Sequence, residues 1–222
     1  MKITIFKCLF IVFVFTCQLT HAQPAKFGNW MVYNGTVNLP YKLISTGEIH
    51  LRNYNAIGDI QQLLLRGNIG YPLANNNHIM SIGFAYIYNE DYIDNTDFKK
   101  ASQENRIFEQ YLYKFKYKKA VLLNRWRLEQ RFLATGQQLR LRGFLSINYP
   151  ISRDKMDPKT WYFSSSNELF LKNTGELFDR NRFAIGIGFQ QNKNLKLEIC
   201  LLNQSLSTNY RNQLNIVLFH NL

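Results

Sequence analysis

The chain has 222 residues, with 27 Lys and Arg against 15 Asp and Glu, and so a formal net charge of +12. Hydrophobic residues make up 46% and aromatics 15%, which excludes intrinsic disorder, while 12 Gly and 5 Pro exclude a collagen-like or low-complexity chain. A mean hydropathy of −0.26 argues against a polytopic helical membrane protein but leaves open a transmembrane β-barrel, whose strands alternate polar and apolar residues.

Residues 1–22 read as a secretory signal. Lys2 and Lys7 give the positive start, Leu9 to Phe15 the short apolar run, and His21-Ala22 precedes a cleavage point before Gln23, with Thr20 at −3. The apolar run is shorter than the ~20 residues that span a bilayer. Cleavage removes two lysines and lowers the net charge from +12 to +10. It also removes Cys8 and Cys17, leaving Cys200 alone, so residues 23–222 form one domain with no internal disulfide.

From there period two dominates. Residues 30–39 open the series. Ile49 and Leu51 alternate with Glu48, His50 and Arg52. Leu63, Leu65, Ile69 and Tyr71 alternate with Gln62, Arg66 and Asn68. Ile82, Phe84, Tyr86 and Tyr88 follow, then a polar stretch at 89–103 that reads as a long outward loop. Ile107, Tyr111, Tyr113 and Phe115 alternate with Arg106, Gln110 and Lys114; Trp126, Leu128 and Phe132 with Arg125, Arg127, Glu129 and Arg131; Leu139, Leu141 and Leu145 with Arg140 and Arg142. Later candidates are 162–171, 180–189, 195–203 and 212–219. Turn signals fall at Asn34-Gly35, Gly58-Asp59, Thr135-Gly136 and Asn192-Lys193-Asn194. The pattern gives about eleven strands, within an expected ten to twelve; the even parity of bacterial single-chain barrels favours ten or twelve.

The polar faces decide between a sandwich and a barrel. Nine of the 12 arginines fall on them, with glutamates, whereas lysines gather at strand ends. A guanidinium fork bridges two carboxylates and suits a packed ionic interior. The predicted fold is therefore all-β: an antiparallel up-and-down transmembrane β-barrel. Its predicted lumenal ionic network is Glu48, His50, Arg52, Arg66, Glu104, Arg106, Arg125, Arg127, Glu129, Arg131, Arg140, Arg142, Glu168 and Arg182. Apolar faces would meet lipid, and Trp30, Tyr33, Tyr71, Tyr86, Tyr88, Tyr117, Tyr149, Trp161 and Tyr162 would form interfacial girdles.

Several stretches resemble an uncharacterised bacterial family catalogued as domain of unknown function 2490. They are Trp30, Glu48 to Arg52, Glu104-Asn105-Arg106 with Glu109-Gln110, the run from Arg125 to Phe132, Arg140-Leu141-Arg142, Asn167 to Phe170, and Asn181-Arg182-Phe183. The resemblance implies a signal-bearing outer-membrane barrel and supplies no activity or catalytic residue.

The chemistry read from the motifs is sparse. Metal-ligand spacing is absent, and the acidic run from Asn89 to Asp97 lacks the glycine and spacing of a calcium loop. No cofactor is expected. Glu48 beside His50 raises an outer-membrane lipid hydrolase or deacylase as the alternative, with Ser81, Ser146 or Ser166 as nucleophile, but no nucleophile-elbow motif occurs. Export and strand-borne arginines argue against nucleic acid; the expected partners are outer-membrane lipid and, during biogenesis, the outer-membrane assembly machinery. The expectation is a non-enzymatic barrel of the bacterial outer membrane, with a structural role or narrow anion or solute passage.

Overall fold

The computed structural model describes residues 27–73, 77–93 and 96–222; the segment read as a signal, 1–22, lies outside them. Eleven strands run through these residues: β1 Gly28–Asn38, β2 Ile44–Asn53, β3 Ile60–Pro72, β4 His78–Tyr92, β5 Lys99–Tyr117, β6 Ala120–Leu133, β7 Gly136–Pro150, β8 Thr160–Lys172, β9 Phe178–Gln190, β10 Leu195–Ser205 and β11 Tyr210–Asn221. Helix is limited, among the described residues, to a 3-10 turn at Pro40–Lys42, and no helix is long and apolar enough to cross a membrane.

Each strand pairs antiparallel with its sequence neighbours, and β1 pairs with β11 to close the barrel. That last pairing is parallel, with Trp30 opposite Asn215 and Val32 opposite Val217. The geometry follows from parity: an up-and-down meander with an odd number of strands brings its first and last strands together in the same direction. The expected range of ten to twelve strands holds, while the expectation of an even number, and of antiparallel pairing throughout, does not. Closure also fixes the tilt. Following paired residues from Trp30 through β2, β3 and β4 reaches Ser102 on β5. The opposite route reaches Lys116, fourteen residues further along the same strand. A stagger of that size requires strands steeply inclined to the barrel axis.

Two boundaries differ from the sequence pattern. Most of 89–103 is strand: Asn89 pairs with Ser102, Glu90 with Ala101 and Tyr92 with Lys99. Polar cross-strand contacts extend the ladder here, and Lys99 Nζ lies 2.7 Å from Asp59 and 3.3 Å from Glu90. Asn34-Gly35 is likewise no turn but the middle of β1, where Gly35 opposes Gly47 and His220.

The two faces of the wall have opposite chemistry. Alternate residues point inward, and the buried set includes Arg52, Arg66, Glu104, Arg106, Arg127, Glu129, Arg140, Arg142 and Glu168. Their neighbours point outward, and exposed large apolar side chains occur on every strand from β2 to β10, among them Ile49, Leu65, Phe84, Ile107, Trp126, Leu141, Leu169, Ile185 and Ile199. Glu109, exposed between Ile82 and Leu128, is a charged exception on the outer wall. Tyr71, Tyr117, Tyr149 and Trp161 stand outward near strand ends. Trp30 and Tyr162 do not join them: they are 4% and 0% exposed and face the interior. Each has an interior polar role that alternation alone does not reveal. The indole underlies two guanidiniums, and the Tyr162 hydroxyl donates to Glu198 at 2.9 Å.

Candidate functional site: the ionic interior

The interior is organised around four glutamates. Glu104 on β5 is gripped by two forks, Arg106 through Nε and Nη2 at 2.6 and 2.8 Å and Arg131 of β6 through the same atoms at 2.5 and 3.0 Å. Arg106 and Glu104 are two residues apart on one strand and so share a face. Glu129 on β6 accepts from Arg140 Nε and Nη2 at 2.9 and 2.5 Å and from Arg142 Nη1 at 2.6 Å, both on β7. Glu168 on β8 accepts from Arg142 Nε and Nη2 at 3.0 and 2.7 Å and from Arg125 Nη2 at 2.7 Å. Arg182 on β9 approaches it to 4.0 Å. Glu48 on β2 accepts from Arg66 Nη1 of β3 at 2.8 Å and is hydrogen-bonded to His50 Nε2 at 2.9 Å.

Shared arginines join these centres into one network. Arg127 reaches Glu48 at 3.9 Å and Glu129 at 3.8 Å, and its Nε and Nη2 donate to Gln110 at 3.0 and 2.5 Å. Arg142 bridges Glu129 and Glu168, and Arg106 lies 3.8 Å from Glu129 while holding Glu104. The forks matter because a planar guanidinium satisfies two oxygens at fixed spacing, so each bridge between strands, such as Arg131 to Glu104, specifies their relative position.

Three inward aromatics separate the cations. Phe108 has Arg127 at 4.4 Å from its ring centre, Phe170 has Arg142 and Arg182 at 4.6 and 4.7 Å, and Trp30 has Arg52 and Arg182 at 3.9 and 4.8 Å. Ring faces attract cations, so guanidiniums that would repel one another can pack around a ring instead.

All fourteen residues picked out in the sequence lie on the interior face, and thirteen connect through hydrogen bonds or ion pairs. Arg52 is the exception, with a ring contact alone. Sequence reasoning missed Asp179, Arg180 and Arg211. Asp179 lies 3.2 Å from Arg140 and 3.1 Å from Arg180. Arg211 binds the backbone carbonyls of Asn53 and Tyr54 at 3.3 and 2.9 Å. Arg180 stands two residues before Arg182, a signal the alternation carried. Arg211 sits at the start of a strand, where boundaries read from sequence fail.

Little in the interior resembles a catalytic constellation. Among the described residues no serine hydroxyl is hydrogen-bonded to His50; Ser81 accepts from Gln110 at 3.4 Å and Ser164 donates to Glu198 at 3.3 Å. No group of three or more His, Cys, Asp or Glu side chains forms a metal-sized cluster among them. A second feature lies on the outer wall, a depression of about 560 Å³ over Gly35, Gly47 and Gly67, bordered by Tyr33, Ile49, Leu65 and Phe84. These three glycines face one another across β1, β2 and β3, so the wall is thin there.

Fold and interior together define a closed eleven-stranded β-barrel with an ionic core and an apolar outer surface. Residues 27–215 match the family described as Protein of unknown function (DUF2490), and the chain belongs to that family. A comparison with curated proteins finds no match.

Proposed function

We propose that the chain is a non-enzymatic barrel of the bacterial outer membrane, exported by its first 22 residues and released by cleavage near Ala22, with its apolar wall against lipid. The supporting observation is the inverted distribution of chemistry. Soluble monomers rarely expose contiguous apolar surface beyond a few hundred Å². Here the outward residues of nearly every strand are apolar while most arginines and glutamates of the ionic network are buried. Hydrocarbon admits only helices and closed sheets, and this sheet has no free edge.

The lumen reads as a structural plug. Bridged guanidinium–carboxylate forks crowd the interior around Glu129 and Phe108, both 0% exposed, which supports that reading. On this reading the lumen offers hydrated ions no path, and the role is that of a rigid membrane scaffold. Two measurements test the reading. The protein should fractionate with outer membranes and resist carbonate extraction, and purified barrel in planar bilayers should give no steady conductance. Release by osmotic shock overturns the membrane assignment, and stable open-channel steps overturn the plug.

A further inference from the structure

One interior cation stands outside the network. Arg52 is 7% exposed, and among the described residues it is the inward-facing arginine with neither a hydrogen-bond acceptor nor a carboxylate in ion-pair range. Its one contact of note is the Trp30 ring, directly opposite on β1, at 3.9 Å from the ring centre. A buried guanidinium left in this state is costly, because its desolvation is offset by no opposite charge.

The groups around it are also unsatisfied. Trp30 is 4% exposed and its Nε1 has no acceptor. Gln213, one inward step from Asn215 on β11, is 1% exposed, and neither its Nε2 nor its Oε1 has a partner. Asn215 faces Trp30 across the seam, and its Oδ1 is also free of a partner. Arg182 approaches the same indole at 4.8 Å; it donates to Gln204 at 2.8 Å and lies 4.0 Å from Glu168. Three donors, two acceptors and an uncompensated positive charge thus belong to residues at adjacent positions of β1, β2 and β11, in one corner beside the seam. Buried polar groups are ordinarily paired, and a cluster of exceptions calls for an occupant.

We propose that this corner binds a small hydroxylated oxyanion of the hydrogenphosphate type. Its charge would compensate Arg52, and its oxygens would accept from Arg52 Nε, Trp30 Nε1 and Gln213 Nε2. Its hydroxyl would donate to Gln213 Oε1 or Asn215 Oδ1. A guanidinium matches paired oxygens better than a spherical ion, and chloride supplies no donor for the two amide oxygens. The inference concerns the interior alone and does not rest on the membrane reading.

The test uses the folded full-length barrel in detergent, titrated with inorganic phosphate at constant ionic strength set by sodium chloride. Calorimetry should show one saturable site per chain, and the unfolding temperature should rise with the logarithm of phosphate concentration. Arg52→Met and Gln213→Leu should each weaken binding at least tenfold, while Arg153→Met in the β7–β8 loop leaves it unchanged. Without phosphate, Arg52→Met should unfold at a higher temperature than the parent. Gln213→Leu changes no charge and keeps the test decisive if Arg52→Met does not fold. The site is overturned if phosphate produces no saturable heat beyond that of chloride, or if whichever of Arg52→Met and Gln213→Leu fold bind it with unchanged affinity.

Discussion

At the scale of single residues, Glu129 is the position on which most of the interior depends. It is fully buried and accepts three hydrogen bonds from Arg140 and Arg142, with Arg106 and Arg127 close behind. Glu129→Gln preserves shape and removes the charge, taking one of two carboxylate neighbours from each of Arg106, Arg127, Arg140 and Arg142. Breaking a buried pair in this way costs about 3–5 kcal/mol. Urea unfolding of the folded variant should show that loss, and a change within error of zero would mean the cations are compensated elsewhere. Glu109 poses the opposite case, a carboxylate exposed on an apolar wall between Ile82 and Leu128. If lipid covers that wall, Glu109→Leu should stabilise the barrel in vesicles by about 1 kcal/mol, since acidic residues facing hydrocarbon cost less than basic ones. A destabilised variant would place that residue against water or a protein partner.

Among the strands, two close approaches and one seam carry the specificity. Gly188 on β9 lies beneath Tyr162 of β8; a Cβ there would come within 2.1 Å of the ring, and one at Gly83 within 2.4 Å of Phe108. Both glycines let a large inward aromatic lie flat across the neighbouring strand. Gly188→Ala should cost about 1–3 kcal/mol through overpacking, read as a lower unfolding temperature. The parallel register is checked by cysteines at Met31 and Ile216, which face each other on the outer wall. In a Cys200→Ala background the pair should oxidise to a gel-shifted product, and a pair displaced by two residues, Tyr33 with Ile216, should not. Much of this layer was legible in the sequence. Alternation located all eleven strands, because burial on one side leaves period two with its strongest signal. The direction of Trp30 and Tyr162 was not legible, since an aromatic on an ionic face reads like one at an interface until its cation or carboxylate partner is placed beside it. The polar stretch 89–103 read as loop for a related reason: paired Asn, Ser, Glu and Lys continue a ladder without any apolar alternation to betray it.

For the molecule as a whole, strand number sets what the interior must contain. Eight strands make a barrel just wide enough for side chains to fill, and eleven make a wider one. Aliphatic residues are too short to meet across that width, whereas arginines and aromatic rings reach, and their charge then demands glutamates at matched heights. The arginine-rich polar faces of the sequence and the breadth of the barrel are thus two expressions of one requirement. What the sequence pattern could not carry was the pairing of particular cations with particular carboxylates: most pairs join neighbouring strands, so the choice depends on their register, as Arg140 meets Glu129, and the approach of Arg127 to Glu48 depends on β2 and β6 facing each other across the closed barrel. Parity was misjudged for a different reason. An even count is a habit of bacterial barrels, while an odd one violates no physical rule provided the seam is parallel, as in the mitochondrial barrel of nineteen strands.

That odd count has a topographical consequence. Gly28 and Leu222 open at opposite mouths of the cylinder, so markers joined near the two would stand the full height of the wall apart. A short peptide cannot splice them into a ring, and circular rearrangement of the chain, open to barrels whose ends meet on one side, is closed to this one.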